Sequence, residues 1–152
     1  MSVESVKNFF IENGLENTII KLEEGSATVD LAAKALGVEP ALIAKTLSFR
    51  LKDRAILIVT KGDARVDNRK YKDFFNTKAK MLEHDEVAEI TGHPVGGVCP
   101  FGLLTPIEVY LDVSLKKFDY VYPAAGSAFT ALKIEPLKMQ ELTHAIFIDV
   151  CK

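Results

Sequence analysis

The sequence predicts an α+β fold, a mixed and mostly antiparallel sheet with helices at its periphery. Apolar Leu47, Phe49 and Leu51 alternate with polar Thr46, Ser48 and Arg50, the two-residue repeat of a half-buried strand. After the turn Lys52-Asp53-Arg54, the continuous apolar run Ala55 to Thr60 has the length and composition of a central strand, so the two segments read as a hairpin closed off by Gly62. Helical and strand patterns do not follow one another in a regular βαβ rhythm, and hairpin-like pairs dominate the middle and end, which disfavours a doubly wound sheet.

Taken in order, Val3, Val6, Phe9 and Phe10 recur at helical spacing behind Ser2, with Gly14 as a left-handed stop. Thr18 to Leu22 is short and β-branched, and Glu23-Glu24-Gly25-Ser26 ends it. Thr28 caps a second helix carrying Val29, Ala32, Ala33 and Leu36 on one face and stopping at Gly37. Pro40 opens a further helical turn that continues through Ala44 to Lys45. Asp67 caps a helix carrying Tyr71, Phe74 and Phe75; Lys80 to Leu82 is a weak strand, and Asp85 to Thr91 a short helix ending at Gly92. Strands return near Val109–Val113, Tyr120–Tyr122, Phe129–Ile134 and Ala145–Val150, with a helix from Pro136 to Leu142. No repeat, low-complexity tract or linker interrupts the chain, so residues 1–152 are expected to form one domain.

A chain of 152 residues, 48% hydrophobic and 26% charged, has an ordinary globular composition. Its net charge of −2 argues against a surface that clamps nucleic acid through many phosphates, while leaving room for a local basic patch. Cys99 and Cys151 are far apart and lack zinc-ligand spacing, so reduced thiols are expected. The N-terminal residues show no apolar run behind a basic segment, from which a cytoplasmic protein without membrane contact is expected.

The most informative segment runs from Gly92 to Gly102, with four glycines among its eleven residues and prolines at Pro94 and Pro100. It is either a tight connection between elements or a loop whose N–H groups face a carbonyl oxygen or oxyanion. No Walker-type loop or dinucleotide fingerprint is present, so nucleoside triphosphate chemistry is not expected. Lys45 sits where a helical turn passes into a strand, yet taken alone a lysine reads as a solvated cation. Cys99 has no histidine with a sequence-visible reason to activate it and reads as an inert small side chain. His93 draws attention only by lying in the glycine-rich segment; His84 and His144 read as a cap and a loop residue. Ala124-Ala125-Gly126-Ser127 is a turn first and a substrate wall second.

Thr28-Val29, Ala32-Ala33, Leu36-Gly37-Val38, Ile43-Ala44-Lys45-Thr46-Leu47, Gly62-Asp63-Ala64-Arg65-Val66-Asp67, Gly96-Gly97-Val98-Cys99-Pro100-Phe101-Gly102 and Ala125-Gly126-Ser127 occur in the order typical of the YbaK/ProX family. The chain resembles that family over about residues 20 to 142. The resemblance implies the curved mixed sheet of the prolyl-tRNA-synthetase-associated editing domain. It also implies a metal-independent deacylase, without cofactor, that hydrolyses the ester of a mischarged tRNA such as Cys- or Ala-tRNA(Pro). Lys45 matches the family's hallmark active-site residue, and Gly96 to Pro100 its element against the aminoacyl group. On this basis Lys45, Gly96 and Gly97 are expected to be catalytic. Thr28, Phe49, His93, Val98, Cys99, Pro100, Gly126 and Ser127 are expected to contact substrate, with Ser26 as a further expected lining residue. The implied partner is the aminoacyl-tRNA 3′ end, with room for a synthetase.

Two rival readings remain open from sequence. Thr28 to Leu47 has the helix, Leu-Gly-Val turn and second helix of a helix-turn-helix DNA-binding module, although Pro40 to Ala44 offers almost nothing polar to bases. A homologue that keeps the fold and binds tRNA or a synthetase without catalysis is the other.

Overall fold

The computed structural model describes residues 2–15, 19–25 and 27–152. In chain order its elements are α1 (Ser2–Glu12), β1 (Ile20–Lys21), α2 (Val29–Leu36), β2 (Ile43–Arg50), β3 (Ala55–Lys61), α3 (Asn68–Phe75), α4 (His84–Thr91), β4 (Glu108–Asp112), β5 (Tyr122–Pro123), β6 (Thr130–Ala131), α5 (Pro136–Thr143) and β7 (Ile146–Ile148). The expected strand start at Thr18 lies outside the described residues.

The core is organised by β3. Its run of apolar residues leaves no polar face, so both sides must be covered. Leu57 and Val59 point to one side, where α1, α5 and Phe101 pack; Ile56 and Ile58 point to the other, against Phe49, Tyr71 of α3 and Val150. Seven antiparallel pairs, Ala44↔Lys61 to Arg50↔Ala55, fix β2 against it. The sheet order is β5-β2-β3-β4-β7, and β1 pairs with β6 separately. The α+β class holds, with helices outside a mixed sheet, but antiparallel pairing does not dominate that sheet. β2–β5, β3–β4 and β4–β7 are all parallel. Long connections carrying α3 and α4, or α5, return the chain in the same direction, which short hairpin turns cannot do.

Local chemistry sets the element ends. The Thr28 hydroxyl accepts from Leu31 N, and the Asp67 carboxylate accepts from Arg69 N and Lys70 N, so each satisfies orphan donors of a first turn. The expected helix from Pro40 to Ala44 is instead a single 3-10 turn, Pro40–Leu42, because Ile43 already pairs with Tyr122 as the first residue of β2. A recognition helix is therefore missing from the segment that resembled a helix-turn-helix. Among the described residues no helix is long and apolar enough to cross a membrane.

Gly62 shows how closely this turn is packed. A Cβ there would stand 2.0 Å from the Pro40 carbonyl oxygen and 2.8 Å from Val29 Cγ1. Gly62→Ala is expected to destabilise the protein by about 1–3 kcal/mol through overpacking. Urea denaturation measures it, and an unchanged midpoint would contradict the close packing of the 3-10 turn, α2 and the end of β3.

Candidate active site

A cavity of about 340 Å³ opens along the outer edge of β2. Its wall is mostly apolar, with Val29 and Ala32 of α2, Val87 of α4 and Val98, while Lys45, Thr46, Gly96 and Thr130 add polar groups. That is the low end of small-molecule sites, in which a few polar groups orient a ligand among apolar walls. Lys45 and Gly96, distant in sequence, thus line one cavity, together with Thr28 and Val98.

Strand alternation sends the Lys45 side chain to the face opposite Ala44 and Thr46. Its Nζ donates to the Ala64 carbonyl oxygen at 2.5 Å, just beyond the end of β3. Burial pushes the amine below its ordinary pKa; Arg65 adds to this, while Cys151 and Asp63 pull the other way. The amine is therefore a partly desolvated donor held by a backbone carbonyl, not a free surface cation.

The glycine-rich loop is fixed by close contacts. Gly97 N–H donates to the Pro94 carbonyl at 2.9 Å, and the Gly97 carbonyl accepts from Gly126 N at 3.1 Å. A Cβ on Gly97 would lie 2.5 Å from Ser127 N and Cα, so only glycine lets the two loops meet. With its amide engaged, Gly97 has no N–H to offer an oxyanion, which corrects the expectation of a donor there. Gly96 sits at φ 92°, in the left-handed region, and forms part of the cavity wall.

Several expected contact residues stand elsewhere. Phe49 shares the sheet face of Lys45 and Leu47 but lies further along β2, where it is buried with its ring 5.1 Å from Tyr71, outside the cavity wall. Pro100 is part of a separate groove beside α1. The Ser127 hydroxyl bonds to Thr130 Oγ1 and accepts from Phe129 N, the work of a turn, and Gly126 packs against Ser2. Ser26 lies outside the described residues. His93 and Cys99 are fully buried behind the wall.

The hydrogen bonds of His93 assign its tautomer. Nε2 lies 2.7 Å from the Phe101 carbonyl, which can only accept, so Nε2 carries the proton and Nδ1 accepts from the Ser2 hydroxyl at 2.5 Å. Cys99 Sγ is 3.7 Å from that protonated Nε2, which cannot take up the thiol proton. Burial also pushes the Cys99 thiol up to about 12, which disfavours a thiolate nucleophile at neutral pH.

The cavity also includes residues that sequence reasoning passed over, namely Thr46, Ser48, Met81, His84 and Tyr122. Alternation pointed to Thr46 and Ser48 as a polar strand face, but that face meets the cavity, and Ser48 is only 6% exposed. Met81 and His84 reach the wall because Met81 bridges to Phe49, a long-range pairing without a local signal. Among the described residues no group of three or more His, Cys, Asp or Glu is placed to hold a metal ion.

Comparison with known proteins gives a family model described as "Aminoacyl-tRNA editing domain", which matches residues 23–142. The uncharacterized protein YwhH of Bacillus subtilis (strain 168) is 49% identical over 154 residues, spanning 100% of this chain and 98% of its own. A proline-tRNA ligase of Bacillus licheniformis is 35% identical over 127 residues, which cover 81% of this chain but 22% of the ligase. A crystal structure described as that of a candidate trans-editing enzyme for prolyl tRNA synthetase superposes with a TM-score of 0.91 at 29% identity, covering 99% of this chain and 97% of that one.

Two outcomes follow from the buried pair. Cys99 should resist iodoacetamide at pH 8 in the native protein and react only after unfolding; rapid native alkylation would contradict its burial. Burial pushes His93 below its ordinary pKa, with the Phe101 carbonyl pulling partly back. The unfolded chain, with a histidine pKa of about 6.5, therefore takes up the proton first as pH falls. The stability tied to neutral His93 is complete above that pH and declines below it, down through the lowered folded value. Urea titrations should show a flatter pH dependence for His93→Gln in that window, and identical slopes would contradict the assignment.

Proposed function

The chain belongs to the aminoacyl-tRNA editing domain family, and on that premise we propose that it is a trans-acting deacylase hydrolysing the ester between a wrong amino acid and the tRNA 3′ end. Substrates of the tRNA(Pro) type, such as Cys- or Ala-tRNA(Pro), are the ones the reading favours. The observation that carries it is the shared cavity of Lys45 and Gly96, whose volume of about 340 Å³ suits a small acyl group with the terminal nucleotide at the mouth. A structural neighbour described as a candidate trans-editing enzyme for prolyl tRNA synthetase, with a TM-score of 0.91, supports action in trans.

Hydrolysis needs a water oxygen to add to the acyl carbon, stabilisation of the resulting oxyanion, and departure of the ribose oxygen with a proton. Lys45 supplies a desolvated donor for the carbonyl or terminal nucleotide, and the Gly96 amide supplies a backbone donor from a rigid loop. The neighbouring ribose hydroxyl relays the proton, accepting one from the attacking water while passing its own to the departing ribose oxygen. With a cysteinyl substrate, its thiolate can take the water proton and hand it to that oxygen. Small apolar residues around the acyl site limit its size. Such a second sieve is needed because a synthetase pocket separates amino acids differing by one methylene by only about 1–3 kcal/mol.

A panel of mischarged tRNAs that includes Ala- and Cys-tRNA(Pro) tests this. The wild-type protein should release at least one amino acid well above the spontaneous rate, and Lys45→Ala should lower kcat/KM by about 10²-fold or more. Undiminished activity in a folded Lys45→Ala protein would remove the lysine from the mechanism. Inactivity of the wild type on the whole panel would favour a binding homologue without catalysis.

A further inference from the structure

The cavity lies against an interruption in the edge of β2. Hydrogen-bonding direction alternates along a strand, so residues of one parity face β3 and those of the other face outward. Arg50 N donates to the Lys80 carbonyl and Leu82 N donates to the Ser48 carbonyl, which places the even-numbered residues on the outward side. β5 covers that side only as far as the pair Ala44↔Pro123. The N–H and C=O of Thr46 therefore fall in the gap between β5 and the segment 80–82. Ala124, Met81 and Leu82, which flank this gap, all line the cavity, as does Thr46 itself. The Thr46 hydroxyl is also buried with no hydrogen-bond partner among the described residues, so unmet polar capacity concentrates at this one residue.

We propose that the aminoacyl group docks in this gap as a single added strand residue, antiparallel to β2, exchanging two hydrogen bonds with the Thr46 peptide. The inference rests on the deacylase reading and specifies how that site holds its substrate. An aminoacyl ester carries the same N–Cα–C=O unit as a strand residue. Its α-ammonium donates to the Thr46 carbonyl, and its acyl oxygen accepts from Thr46 N–H, the exchange made by a hydrogen-bonded antiparallel pair. In this orientation the side chain leaves on the face of Thr46, and the ester oxygen leads toward the Ala44 end of β2. Thr46 N–H then joins the Gly96 amide as a donor to the carbonyl that becomes the oxyanion. Recognition through a main-chain pair selects the α-amino acyl unit whatever its side chain, and leaves the identity of the amino acid to the surrounding wall.

Amide hydrogen exchange followed by NMR tests this with the non-hydrolysable 3′-(L-alanylamino)-3′-deoxyadenosine. In the free protein Thr46 N–H should exchange at least tenfold faster than Lys45 and Leu47 N–H, which face β3. Saturating analogue should slow Thr46 at least tenfold and leave those neighbours nearly unchanged. The propionyl analogue, which lacks the ammonium, should bind at least tenfold more weakly. Protection of Thr46 already in the free protein, or analogue binding that leaves its exchange unchanged, would overturn the docking mode while the deacylase reading stands. Equal binding of the two analogues would overturn the ammonium contact in the same way. Failure of every analogue to bind would overturn the functional reading and this inference with it.

Discussion

Burial of β3 on both faces is the constraint from which the rest of the architecture follows. A strand with the unbroken apolar run Ala55 to Val59 is poorly placed at an edge or facing water, so it takes the centre of the sheet and requires covering layers on both sides. Helices α1 and α5 supply one layer; α3 and the C-terminal residues supply the other. β2 is then left as the strand whose outer edge is only partly covered, by β5 at one end and by residues 80–82 at the other. The cavity occupies what remains. Its position is thus a consequence of where the sheet runs out of partners, which leaves Thr46 at its wall.

The other half of the site depends on a loop that cannot move without disturbing the core. Gly97 is clamped against Ser127 and Gly126, Gly126 against Ser2, and the neutral His93 ties Ser2 to Phe101. Phe101 in turn packs on Phe9 and Phe10 of α1. Gly96 is therefore presented to the cavity by a chain of buried contacts reaching into the main core. Rigidity of this kind favours catalysis that works by positioning, because a donor fixed before substrate arrives needs no reorganisation during the reaction. It also accounts for residues such as His93 and Cys99 sitting beside the site without touching it: they hold the wall up from behind.

Much of this was legible in the sequence, where the relevant physics is local. Thr28 and Asp67 were readable as caps because capping involves neighbours three residues apart. The alternation of β2 and the apolar run of β3 gave their pairing, since a short turn leaves few other options. The parallel neighbours β4 and β7 were not legible, because they come back to the sheet after long connections that no local pattern dictates. The same limit applies to the site. Lys45 and Gly96 were picked out through family resemblance, whereas Thr46, Met81 and His84 enter the wall only through tertiary contacts. Polar residues alternating on a strand look solvent-facing, and nothing in the sequence distinguishes water from an enclosed ligand. The engagement of Gly97 N–H by Pro94 is likewise a property of the folded loop.

The central claim is that one cavity, walled by Lys45 and Gly96, receives the acyl end of an aminoacyl-tRNA. A crystal structure of the protein with a short acceptor-stem RNA ending in an amide-linked alanine tests it most directly. The account predicts the alanyl group inside the cavity at the open edge of β2, with its carbonyl within hydrogen-bonding distance of a donor from Lys45, Thr46 or Gly96. An ordered alanyl group bound anywhere else on the protein, with that cavity unoccupied, would contradict it.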